Sequence, residues 1–97
     1  MKAVLLSLVL SVSAHSYSPF CNSYEAQVQG VIEEVKVVGS TCEYLVTVTD
    51  SQQHALCPLI TEEVERSTVL GACTFAKGDS FYRILVRENN SDYIHFD

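Results

Sequence analysis

The sequence predicts a mainly β fold, a barrel of five strands with one short helix between the third and fourth. Three observations carry this expectation. Apolar and polar residues alternate through 24–38 and again through 42–49, the period of two that a half-buried strand imposes. The pairs Gly39-Ser40 and Gly78-Asp79 punctuate these runs as turns. Four cysteines are spread through only 97 residues, the pattern of a small domain reinforced by disulfides.

Residues 1–14 read as an address rather than as part of the fold. Lys2 precedes an apolar run from Ala3 to Val12, and the small residues Ser13 and Ala14 follow. A basic start, a short apolar stretch and a small-residue exit form a secretory signal peptide. The run is about half of the ~20 residues that a membrane-spanning helix needs. Val12-Ser13-Ala14 fits cleavage after Ala14, and Ala14-His15-Ser16 fits cleavage after Ser16. Losing 14 of the 97 residues, Lys2 among them, leaves 83 residues with 5 basic and 12 acidic side chains, a net charge of -7. The expected destination is secreted or periplasmic, with no stable membrane span.

The mature elements follow in order. Residues 15–23 are polar and small, an extended lead-in to a single domain over 24–97. In the first strand Ala26, Val28, Gly30 and Ile32 share one parity, whereas Val31, Val35 and Val37 share the other. The switch near Glu33-Glu34 is what one extra residue, a β-bulge, produces. Gly30 marks a point of sharp coiling. Residues 42–49 form the second strand, Asp50-Ser51-Gln52 a turn, and 53–59 a short third strand ending near Pro58. Thr61-Glu62-Glu63 reads as a helix start, with a capping hydroxyl and acids in the first turn, and Gly71 as its end. The β-branched content of 67–72 offers a strand there as the alternative. Residues 81–87, apolar on both parities, form the fourth strand, 88–92 a polar loop, and 93–96 the last strand.

Cys21, Cys42, Cys57 and Cys73 stand 21, 15 and 16 residues apart, unlike zinc ligands, which pair two to four residues apart. No metal or other cofactor is expected. A hairpin turning near Thr49-Asp50 would set Cys42 opposite Cys57, and Cys21 would then join Cys73. The competing arrangement pairs Cys21 with Cys42 and Cys57 with Cys73.

The layout, a long bulged first strand and a helix ahead of the fourth strand, resembles the OB-fold, a five-stranded Greek-key barrel. Gly78-Asp79 before the fourth strand is similar to a common OB-fold turn. In size and plan the chain is similar to two exported OB-fold groups, the B-subunits of AB5 toxins and netrin-like modules such as metalloproteinase inhibitors. Those inhibitors carry Cys-x-Cys at the mature N-terminus, and Cys21 has no such neighbour. Val28-Gln29-Gly30 resembles the end of the cystatin Gln-x-Val-x-Gly loop, with Ala26 where the glutamine belongs.

Function classes narrow by exclusion. Hydrophobic residues at 47% and charged residues at 19% fit a packed chain rather than a disordered one. A net charge of -6 repels a phosphate backbone, so no nucleic acid is expected. No Gly-x-Ser-x-Gly elbow, His-Glu-x-x-His pair or phosphate-binding glycine loop occurs. Among the histidines, His54 and His95 are the candidates for a small hydrolase. The acids at Glu33-Glu34 and Glu62-Glu63-x-Glu65 suit a solvated bulge and a helix N-terminus better than a calcium site. Asn89-Asn90-Ser91 is an acceptor sequence for N-glycosylation. What is left is a binding protein for a protein, peptide or glycan partner, or a secreted protease inhibitor. Tyr82, Arg83, Arg87 and Tyr93 form the candidate recognition patch, and edge strands offer a route to homo-oligomers.

Overall fold

The alternation read from the first half of the chain becomes two long strands. In the computed structural model, which describes residues 20–97, β1 spans Ser23–Val38 and β2 spans Thr41–Gln53. They form an antiparallel hairpin closed at Gly39-Ser40, with Val38 opposite Thr41. Gly39 takes a φ of 63°, the left-handed conformation that tight two-residue hairpins favour at their first position. The other elements are α1 (Thr61–Arg66), β3 (Val69–Ala72), β4 (Ser80–Glu88) and β5 (Ile94–Phe96). The strands close a barrel in the order β1-β2-β3-β5-β4, which then returns to β1. The β3–β5 pairing is parallel and the rest are antiparallel. The fold is therefore mainly β, a closed five-stranded barrel with one short helix. The signal-peptide reading of residues 1–14 lies outside the described residues.

The expected bulge is present. Ile32 faces Val46 and Glu34 faces Leu45, so Glu33 is the extra residue. A second irregularity lies between Gln29 and Gly30, where the partner skips from Asp50 to Val48. Both fall where β1 must bend to close the barrel. Gly30 sits between them because nothing larger fits. A Cβ there would lie 2.4 Å from the Thr47 carbonyl oxygen and 3.0 Å from the Phe81 ring.

Two expectations about the middle of the chain are corrected. Asp50-Ser51-Gln52 is no turn: β2 runs on through it, pairing Gln29 with Asp50 and Ala26 with Gln53. Residues 53–59 therefore form no separate strand. Past Gln53 they make only a bridge between Pro58 and Glu25. The barrel takes its third strand from Val69–Ala72 instead. The helix is shorter than expected and stops at Arg66. Ile60, not Thr61, is its N-cap residue and makes no side-chain capping bond. Six residues hold too few internal bonds to keep the β-branched residues that follow in helix, and β3 gains ladder partners by leaving it. Both readings of 61–72 thus find a place, helix first and strand after.

This topology also overturns both expected disulfide arrangements. The bonds are Cys21–Cys57 and Cys42–Cys73, with Cα separations of 5.8 and 5.0 Å. Cys42 near the start of β2 and Cys57 beyond its end are separated by most of a 13-residue strand, far past the ~7 Å that a disulfide tolerates. Cys42 instead faces Gly71 on β3, which brings Cys73 within reach. Cys57 lies beside the start of β1, where its carbonyl accepts the Glu25 N–H at 3.0 Å, next to Cys21. Two disulfides are the mark of an oxidising, extracellular-type environment. Among the described residues no helix is long and apolar enough to cross a membrane.

The interior has two parts. Tyr44, Phe75, Phe81 and Phe96 meet edge-on or tilted, with centroids 5.3–6.3 Å apart. The buried Tyr44 hydroxyl donates to the Ala72 carbonyl at 2.6 Å and accepts the Thr74 and Phe75 N–H groups. Aliphatic residues, among them Val28, Ile32, Leu59, Val64, Leu85 and Ile94, fill the rest.

Candidate functional site

Register decides which side chains share the outer wall. Ala26 and Val28 point into the core and are buried, so Glu25, Gln27 and Gln29 point outward. Gln27 stands between Gln52 of β2 and Ile84 of β4. Gln29 stands between Asp50 and Tyr82, and Glu25 faces Val86, which in turn faces His95. Directly opposed residues lie on one face. The result is a seam: amides and acids on β1 and β2, and the apolar column Tyr82-Ile84-Val86 on β4.

A cleft of about 240 Å³ lies along this seam, lined by Glu25, Ala26, Gln27, Gln52, Gln53, His54 and Ile84. The chain has four glutamines in all, at 27, 29, 52 and 53; Gln27, Gln52 and Gln53 line the cleft, and Gln29 stands further along the seam between Asp50 and Tyr82. Each amide offers two N–H donors and a carbonyl acceptor. Glu25 is the one charged side chain in the lining, and Ser23 donates its hydroxyl to it at 3.3 Å.

The wall above the cleft is a tethered loop. The Nδ1 atom of His54 accepts the N–H groups of Leu56 and Cys57 at 3.2 and 3.0 Å. An acceptor Nδ1 leaves the ring proton on Nε2. His54 N–H and Leu59 N–H both donate to the Glu25 carbonyl, and the Cys21–Cys57 bond fixes the same loop covalently. Leu56 projects from it, 82% exposed.

The predicted recognition patch is not assembled. Arg87 is drawn inside, 1% exposed. Its Nε donates to one oxygen of the buried Glu63 carboxylate and its Nη2 to the other at 3.4 Å. Its guanidinium lies 4.7 Å from the centre of the Tyr24 ring. Sharing a strand parity with Arg83 put it on the inward side, where a buried carboxylate from α1 waited to pair with it. Arg83 remains exposed with its guanidinium 5.2 Å from the Phe75 ring centre. Tyr82 and Tyr93 are 62% and 69% exposed. Only Tyr82 stands on the cleft-bearing face.

The two described histidines have structural partners. His54 holds its own loop, and His95 lies 3.5 Å from Glu88 across the outer face. Among the described residues no three His, Cys, Asp or Glu side chains converge as metal ligands. The turn composition of Asp50-Ser51-Gln52 hides the glutamine cluster, because a turn there would part Gln52 from Gln27. The available signal was Gln27-x-Gln29 at strand spacing together with Gln52-Gln53. No protein-family model matches this chain, and neither a curated protein nor a solved structure is significantly similar to it.

Proposed function

We propose that this chain is an exported binding module, secreted or periplasmic, that takes a neutral saccharide on the seam between β1, β2 and β4. The carrying observation is the placement of a row of amides beside an apolar column. A pyranose ring has the same division: an apolar face of C–H groups and a rim of hydroxyls that both donate and accept. Amides meet hydroxyls in both roles, and Ile84 and Tyr82 offer the ring a surface to lie on. The carboxylate of Glu25 in the lining and that of Asp50 further along the seam, with no cation in the lining, disfavour sulfated or sialylated ligands. Export is supported by the pattern of residues 1–14 and by the two disulfides.

The test is a glycan array probed with the mature protein, followed by calorimetry. Neutral oligosaccharides should be retained and anionic ones not. Gln27→Ala and Ile84→Asp should each weaken binding about tenfold or more, as loss of a good contact does. An array without neutral hits, or hits unaffected by both substitutions, would remove the proposal.

A second reading rests on Leu56. An exposed apolar residue on a loop held by a disulfide and by the His54 ring is the form that a rigid protease inhibitor presents to a cleft. A panel of endopeptidases selective for large apolar residues separates the two. Inhibition that Leu56→Asp abolishes supports this reading, and a blank panel ends it.

A further inference from the structure

Beyond residue 32, β1 has a partner on one side only. Its pairing with β4 ends at Val31–Ser80, and the turn before β4 engages Ile32 through Asp79 and Gly78. From Glu33 to Val38 the other side of the strand carries no backbone partner among the described residues, although β2 continues beside it as far as Thr41. Free strand edges are templates for pairing. Here the exposed side chains include Val37 at 67% and Val38 at 47%.

Glu33-Glu34-Val35-Lys36-Val37-Val38 is self-complementary in one register. In an antiparallel pair related by a twofold axis, opposed residues point to the same face, so one residue must face its own copy. Centring the axis on residue 34 sets Glu34 against Glu34, and centring it on 36 sets Lys36 against Lys36. Centring it on Val35 sets Glu34 against Lys36 twice, with Val35 against Val35; the exposed Glu34 carboxylate, 3.5 Å from Lys77 Nζ of its own chain, then lies between two ammonium groups. Val37, on the same face as Val35, then flanks the valine pair on both sides and stands opposite Glu33 of the copy.

We propose that this edge pairs with the same edge of a second copy, antiparallel about a twofold axis through Val35, forming a homodimer whose sheet runs from one barrel into the next. The saccharide seam lies on a different stretch of β1, so the dimer and the binding site stand or fall separately.

Charge exchange tests the register. The mature protein should dimerise with concentration in sedimentation velocity at about 0.15 M salt, where long-range repulsion between two acidic chains is screened. E34K places lysine against lysine at both pairs, and K36E places glutamate against glutamate. Each alone should weaken dimerisation about tenfold or more, since two opposed pairs change sign. Mixed one to one, the two variants become complementary, and native mass spectrometry should show the heterodimer. Far-UV circular dichroism confirms that both variants fold. A wild-type protein that stays monomeric to roughly 1 mM, the weakest association of interest, overturns the proposal. So does a mixture no more associated than its components.

Discussion

The Arg87–Glu63 pair gives the sharpest test of how this small barrel is held. The two side chains are 1% and 5% exposed, and the guanidinium engages both carboxylate oxygens. Glu63→Leu removes the counter-charge and leaves a buried cation. The Glu88 and Ser91 carbonyls, each 3.4 Å from Nη1, remain to it, as does the face of Tyr24. Removing one partner of a buried pair costs about 3–5 kcal/mol, a large share of the roughly 5–15 kcal/mol by which domains are stable. With a urea dependence of about 1–1.5 kcal/mol per molar, the midpoint should fall by ~2–5 M. Replacing both partners, as E63L/R87M, removes the stranded charge along with the attraction. Such exchanges are often neutral or stabilising, so the double variant should be more stable than E63L alone. Urea unfolding followed by far-UV circular dichroism, with the disulfides intact, measures the parent protein, E63L, R87M and the double variant. If E63L costs under about 1 kcal/mol, or the double variant loses the sum of the singles, the pair is not the buried unit described here.

Two further outcomes follow from the same geometry. Peptide mapping of the non-reduced protein should recover Cys21 with Cys57 and Cys42 with Cys73, and removing Cys42–Cys73 as a serine pair should cost about 4 kcal/mol for a loop of 31 residues. Recovery of Cys42 with Cys57 would require β2 to turn at Asp50 and would refute the register. Gly30→Ala should destabilise by about 1–3 kcal/mol or more, read by thermal denaturation, because its methyl meets the Thr47 carbonyl. A neutral effect would mean that the paired bulges yield more freely than their contacts imply.

The elements that local chemistry controls were readable from the residues. The bulge at Glu33 was visible because a barrel wall has one wet side, so an extra residue must shift the apolar parity from Ile32 to Val35. The hairpin at Gly39 and the fourth strand were visible for similarly local reasons. Local chemistry misleads where two local signals compete. Asp50-Ser51-Gln52 has turn composition, yet it lies opposite Gln27, Val28 and Gln29 in a ladder whose length β1 sets. Once β2 continued, the third strand had to come from elsewhere and the cysteines had to find other partners. The candidate site went unread for the same reason, since the glutamines meet only in a register that the turn reading forbids. Arg83 and Arg87 share a parity, but parity alone does not say which side holds a carboxylate.

Composition, periodicity and cysteine count specify a mainly β chain of one domain with two disulfides, because each depends on neighbours within a few positions. The pairing of those cysteines, the burial of Arg87 and the gathering of Gln27, Gln52 and Gln53 beside Ile84 are properties of closure. They depend on which strands meet after the barrel is shut, and contacts between residues 24 to 57 positions apart leave no periodic trace in the chain that makes them.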